Sequence, residues 1–260
     1  VICLHGSASS PRQWHPLGER LSPRFRVVAP GLIGYTDGPP WSEPGPLTLS
    51  EEAAWIERWL DAAAAPVHLV GHSYGGAVAL KVAQRRPERV RSLALYEPVL
   101  FHLLTGEARA EIAALEAQIA AACEAGNAAA AARVFVNYWS GADAWQRMPP
   151  AQQGAVTQRM HKVVAEFKAV FGERVDASAY TRLRMPILVL SGTQTCMPAA
   201  RVAQLAQAII PAGRCIEMSG LGHLGPVTHP DEVNALIVRF LDAHRDESRV
   251  RRLDELPQVA

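Results

Sequence analysis

Four cysteines in 260 residues, Cys3, Cys123, Cys196 and Cys215, form no C-x-x-C pair and no metal-like spacing with histidine. The sequence therefore offers neither a disulfide framework nor a thiolate metal site, and the default is a reduced compartment with a cytoplasmic location. Net charge is scarce too. Lys and Arg number 26 against 25 Asp and Glu, giving +1, which makes no electrostatic case for nucleic acid or an anionic membrane surface. Arginines gather near the end (Arg245, Arg249, Arg251, Arg252), but acids interleave them, so residues 245–260 read as a frayed tail. No apolar run reaches membrane-spanning length, and no signal-peptide pattern is present. The chain opens without methionine inside an apolar run at residues 1–4, and an upstream segment is the expectation.

Apolar residues are plentiful at 49%, and the length suffices to bury one large core with a smaller inserted unit. Residues 67–70 are an apolar run that predicts a buried strand, and Gly76 onward (Ala77, Val78, Leu80, Val82) predicts a helix ending before Pro87. Between them stands Gly71-His72-Ser73-Tyr74-Gly75-Gly76. Glycines two residues either side of Ser73 leave room for a strained backbone that lifts the hydroxyl to the junction of strand and helix, a nucleophile elbow. The bland alternative is a glycine-rich turn with an incidental serine, which the flanking strand and helix oppose. A phosphate loop lacks its cation, since no Lys-Ser or Lys-Thr pair follows Gly75 or Gly76.

An elbow serine needs backbone N–H groups to face the oxyanion that forms on its substrate. The strand predicted at residues 1–4 runs into His5-Gly6-Ser7, a loop of small residues, and the N–H groups of Ser7 and Tyr74 are the candidates. His5 is expected to order that loop through its ring. Residues 25–30 predict another strand, Thr48 with Glu51 a capping box, and residues 89–96 a strand closed by Glu97-Pro98. Strands alternating with helices imply a mostly parallel sheet with helices on both faces.

From about residue 99 to 184 the alternation stops, and alanine-rich helical patterns predict an inserted α-helical cap. Of its aromatic residues, Trp139 and Trp145 are the candidates for substrate contact. The α/β pattern returns with strands at 186–190 and 215–218, followed by Gly222-His223 in a glycine-rich loop and a closing helix. The expected division is thus 1–98 core, 99–184 cap, 185–244 core and 245–260 tail. His223, His229 and Asp231 offer a rival reading as metal ligands; a turn and helix start explain the last two, so no metal and no organic cofactor is expected.

The elbow, the His-Gly loop and the late histidine occur in the order found in serine hydrolases of this architecture, and the chain resembles the α/β-hydrolase superfamily over nearly its whole length. The resemblance implies the fold, a serine-dependent hydrolysis, and earlier strands that would precede residue 1. It also implies an aspartate after the 186–190 strand, where Thr195 stands instead. A strand ending at Glu97 is expected between the nucleophile strand and that one, so Glu97 is the candidate acid beside Ser73 and His223, with Asp37 and Asp176 as alternatives. The expected reaction is hydrolysis of a small, fairly apolar carboxylic ester through an acyl-serine, with a lactonase, thioesterase or carbon–carbon bond hydrolase open within the same machinery. A non-catalytic binding protein on the same fold is the rival class, supported by the missing aspartate. No nucleic acid or membrane partner is expected, and the oligomeric state is unknown.

Overall fold

A computed structural model describes residues 1–42, 47–210 and 213–245. The expected frayed tail, beyond Arg245, lies outside the described residues. In chain order the elements are β1 (Ile2–Leu4), α1 (His15–Leu21), α2 (Leu49–Asp61), β2 (Val67–His72), α3 (Tyr74–Arg85) and β3 (Val90–Tyr96). The inserted helices follow: α4 (Gly106–Glu124), α5 (Ala128–Ser140), α6 (Ala144–Arg147), α7 (Pro150–Thr157), α8 (Met160–Phe171) and α9 (Ala177–Thr181). The chain then returns to β4 (Ile187–Gly192), α10 (Met197–Ile209), β5 (Gly213–Met218), α11 (Gly225–Thr228) and α12 (Pro230–Ala243).

Among the described residues five strands pair in parallel in the order β1-β2-β3-β4-β5. Because strand side chains alternate between faces, each strand feeds two cores. Cys3, Val70, Ala94, Tyr96, Leu188 and Leu190 pack with Leu17, Val233, Ile237 and Leu241 of α1 and α12. Ile2, Leu4, Leu69, Leu93, Leu95, Ile187 and Val189 face Ile56, Val78, Val82 and Val202 of α2, α3 and α10. Each fully buried aliphatic side chain contributes roughly 1.5–3 kcal/mol, which explains why these strands read as continuous apolar runs. The capping box on α2 forms: Thr48 Oγ1 accepts from the Glu51 N–H at 3.1 Å, and Glu51 Oε2 accepts from the Thr48 N–H at 2.8 Å.

The strand predicted at residues 25–30 is reduced to one bridge, Val28 opposite Ile2. Three hydrogen bonds tie it to β1, from the Val1 amine to Arg26 O, from Val28 N–H to Val1 O, and from Cys3 N–H to Val28 O. The ladder goes no further because β1 has only three residues and Pro30 lacks an N–H. The stretch 99–184 contains helices and no strand. Its α4 buries Ala108, Ile112, Leu115 and Ile119, spaced at helical intervals, against the other inserted helices and the sheet face that carries α2. All five strands end at the same edge of the sheet, where the turns after β2, β3, β4 and β5 meet the inserted helices.

Candidate active site

The turn after β2 holds Ser73 at φ 54°, ψ −120°, outside the regions ordinary residues adopt. Close packing fixes it there. A Cβ on Gly75 would stand 2.4 Å from the carbonyl oxygens of Leu4 and His5, and one on Gly6 would stand 3.3 Å from Ser73 Cβ. Only glycine lets α3 and the loop after β1 approach the serine this closely. The Ser7 and Tyr74 N–H groups donate no hydrogen bond among the described residues, and Tyr74 is the first residue of α3, where helical N–H groups lack partners.

His223 Nε2 lies 3.0 Å from Ser73 Oγ, and its Nδ1 lies 2.7 Å from Glu97 Oε2. All three residues are buried. Glu97 sits one residue past β3 with φ 42°, placed by its N–H donating to Leu190 O at 2.9 Å, a continuation of the β3–β4 ladder. Its Oε1 accepts from the Gly192 N–H at 2.8 Å, and its Oε2 accepts from Thr195 Oγ1 at 2.7 Å. Every polar neighbour of this carboxylate is a donor. Thr195, standing where the family resemblance implies an aspartate, thus holds the glutamate that approaches the imidazole from the neighbouring strand. The carboxylate accepts the Nδ1 proton of His223, which leaves Nε2 free to accept from the serine hydroxyl.

Three further side chains, His72, Gln13 and Tyr96, tie the loops together. His72 points behind the serine; its Nε2–H donates to His223 O at 2.9 Å, and its Nδ1 accepts from Gln13 Nε2 at 3.0 Å. Gln13 Oε1 in turn accepts from the Gly6 N–H at 3.2 Å. Tyr96 adds a bond from its hydroxyl to Gly222 O at 2.8 Å. The loop of Gly6 and the loop of His223 are therefore braced from one direction by Gln13, His72 and Tyr96. His5 serves its own loop, Nδ1–H to Gly6 O at 2.9 Å and Nε2 accepting from Leu32 N–H at 3.4 Å.

Burial pushes the ring pKa of His5 down to about 4 and that of His72 to about 3. In the unfolded chain both would titrate near 6.5. A folded pKa below the unfolded one means the unfolded chain binds the extra proton, so stability is full above pH 6.5 and falls as pH drops toward 4. Each ring approaches a loss of about 1.4 kcal/mol per pH unit below 6.5, so the pair should weaken the fold by roughly 3 kcal/mol between pH 6.5 and 5, and His68 and His102, whose ring pKa burial also lowers to about 4, act in the same sense. Glu52, whose carboxyl pKa burial raises, works in the opposite sense and offsets part of this. Denaturant midpoints measured at pH 7.5 and 5 check it; equal midpoints would mean these rings are not held neutral.

A narrow cavity opens at Ser73, lined by Ser7, Tyr74, Val99, Phe101, Phe135, Trp139, Glu166, Phe167 and Val170. Trp139 also packs on the His223 ring, with centroids 4.1 Å apart. Trp145 does not line this cavity, against the expectation that paired it with Trp139. Its N–H donates to Asn137 Oδ1 and its carbonyl accepts from Gln153, so α6 seats the ring among the partly buried residues that fill the inserted helices. Of the alternative acids, Asp37 lies in an exposed turn and Asp176 caps α9 through the Ser178 N–H. Of the residues weighed as metal ligands, Asp231 pairs with Arg20 and His229 with the Thr228 hydroxyl, so neither joins His223.

Residues 1–236 match the alpha/beta hydrolase family. The chain belongs to that family. It is 30% identical to lipase LipV of Mycobacterium tuberculosis over 254 residues, covering 91% of each chain. A haloalkane dehalogenase of Agrobacterium fabrum is 37% identical over 102 residues, 38% of this hydrolase and 33% of that protein. Among solved structures, a hydrolase from Pseudomonas aeruginosa superposes with a TM-score of 0.76 at 26% identity, covering 92% of this chain and 89% of that one. The enol-lactonase of Burkholderia xenovorans superposes at 0.74 with 20% identity, over 93% and 90% of the two chains, a likeness of fold alone. This chain is accordingly a hydrolytic enzyme with a parallel sheet covered by helices. Among the described residues, no helix of this hydrolase is long and apolar enough to cross a membrane.

Proposed function

We propose that this hydrolase cleaves small, largely apolar carboxylic esters through an acyl-serine intermediate. The observation that carries the reading is the unbroken relay from Ser73 Oγ through both nitrogens of His223 to Glu97, at 3.0 and 2.7 Å. Ser73 Oγ adds to the carbonyl carbon while His223 Nε2 takes its proton; the N–H groups of Ser7 and Tyr74 face the oxyanion, and the imidazolium gives the proton to the departing alcohol. Water, activated by the same ring, then releases the acid and restores the serine. The resemblance to a lipase over most of both chains supports an ester as the scissile group, and the apolar cavity beside Ser73 supports a small apolar acid or alcohol portion.

Dehalogenation on this fold uses a carboxylate nucleophile, and position 73 supplies a hydroxyl. Lactones and thioesters remain within reach of the same relay. The non-catalytic alternative rested on Thr195, and a carboxylate bonded to that threonine meets its objection. A fluorophosphonate probe followed by a panel of 4-nitrophenyl esters of increasing acyl length tests the reading. The expected outcome is covalent labelling at Ser73 together with turnover that declines once the acyl chain outgrows the cavity. A folded protein that neither labels nor turns over any ester would return the chain to the binding class.

A further inference from the structure

The turn that carries the Ser7 N–H is strained, and side chains hold it. Ser9 N–H donates to Gly6 O at 3.2 Å, closing Gly6-Ser7-Ala8-Ser9, and Ala8 stands at the third position with φ 55°. A positive φ there favours glycine, and a side chain in such a conformation costs roughly 1–3 kcal/mol. Three successive peptide groups are pinned against it. His5 Nδ1–H donates to Gly6 O, the Ala8 N–H donates to the Tyr35 hydroxyl, and Arg159 Nη1–H donates to Ala8 O, each at 2.9 Å. Gln13 takes the Gly6 N–H. Among the described residues, the Ser7 N–H is thus the backbone donor of this turn left to face an oxyanion.

Of these holds, Arg159 comes from the inserted helices, where it is the residue before α8. A buried ion cluster seats that helix. Lys162 Nζ of α8 donates to Glu52 Oε1 of α2 at 2.9 Å and to Glu166 Oε1 at 3.1 Å, and the Tyr35 hydroxyl that accepts the Ala8 N–H has its own proton for the Glu166 carboxylate. Ala8 is therefore gripped by α8 at both ends, directly through its carbonyl and through Tyr35 at its N–H. Without the guanidinium, relaxation of Ala8 to negative φ would swing the Ser7–Ala8 peptide and loosen the turn. We propose that Arg159 is a positioning residue for the oxyanion site: by holding Ala8 O it keeps the Ser7 N–H aimed at the substrate oxygen. The inserted helices then set the rate of the chemical step as well as the choice of substrate. Direct contact of Arg159 with substrate is opposed by its place, since it does not line the cavity at Ser73.

This inference rests on the ester-hydrolysis reading, and its test separates the two. Arg159→Met keeps the aliphatic stem and removes the donor. With 4-nitrophenyl acetate, kcat and kcat/KM should fall together by about ten- to hundredfold, because loosening an oxyanion donor stops short of the roughly 10²–10³ lost when one is removed. Trifluoroacetophenone reports the same donor without turnover. Ser73 Oγ adds to the ketone carbon, the hydroxyl proton passes to His223 Nε2, and the carbonyl π pair ends on the oxygen that faces the Ser7 N–H. The dissociation constant of this adduct, read by fluorine NMR, should rise in Arg159→Met by about the factor that kcat/KM falls. Should the methionine protein not fold, Arg159→Lys, which keeps the charge on a side chain a bond shorter, is read by the same two measurements. A folded variant with unchanged kcat and adduct affinity, or one in which KM alone rises, overturns the inference and leaves ester hydrolysis standing. A wild type that turns over no ester yet forms an adduct that weakens in the variant overturns ester hydrolysis and supports the inference. Neither turnover nor adduct in the wild type overturns both.

Discussion

Replacing Ser73 or His223 by alanine is expected to lower kcat by about 10⁴ or more, with the double variant little worse than either alone, because hydroxyl and imidazole act as one unit. The surroundings make this a clean experiment. Alanine at position 73 keeps the Cβ and asks for the same strained backbone, which the packing of Gly75 against Leu4 and His5 imposes whatever the side chain. Alanine at 223 removes the ring under Trp139, but the loop stays anchored because Tyr96 and His72 hold the carbonyl oxygens of Gly222 and His223, not the imidazole. Thermal midpoints of the variants should therefore lie close to wild type. Residual hydrolysis should remain measurable above the uncatalysed rate, since the N–H groups of Ser7 and Tyr74 survive both substitutions. A kcat within tenfold of wild type in a folded Ser73→Ala protein would remove the acyl-serine from the mechanism.

Ser73 and His223 were legible because each is marked locally: glycines flank the one, and a glycine-rich loop after the last strand carries the other. Glu97 needed topology. No motif surrounds it, and only the order of the strands told that its carboxylate would arrive beside the histidine. The partner of Thr195 was not legible, for a threonine in place of an aspartate reads as a loss until its hydroxyl is seen to donate to Glu97. The ion cluster was hidden more completely. Lys162 and Glu166, four residues apart on a helix, have the pattern of an exposed surface pair, and Glu52 sits in the first turn of α2, where an acid is ordinary. Nothing in the spacing says that α8 lies over α2 and buries all three. The place of Trp145, off the cavity at Ser73, was hidden for the same reason: composition counts it among the aromatics of the inserted helices, and which of these face the cavity is set by how the six helices pack.

Glu97→Gln is expected to lower kcat by roughly 10³ to 10⁴, the scale on which losing the triad carboxylate acts. Three donors converge on the wild-type side chain, the Gly192 N–H, the Thr195 hydroxyl and His223 Nδ1–H. A glutamine has one oxygen and one NH₂ to offer, so at least one donor must face another donor. Where the NH₂ faces His223, the ring keeps its proton on Nε2 and no longer accepts from Ser73. Thr195→Ala removes one of the three donors and leaves the charge, so it should cost only about tenfold, the low end of the scale of a single hydrogen bond to an ionised group. The sharpest outcome is a reversal of sign at position 195. Thr195→Asp in the wild-type background sets a second carboxylate where the hydroxyl now lies 2.7 Å from Glu97 Oε2, and like charges that close compete for one proton, so activity should fall. In Glu97→Gln the same aspartate meets an NH₂ that lacks an acceptor and returns a negative charge beside the imidazole, so activity should rise. A double-mutant cycle on kcat measures this coupling directly. Unimpaired kcat in a folded Glu97→Gln protein would transfer the acid's role to another carboxylate. Simple additivity in the cycle would mean that positions 97 and 195 do not serve the same ring.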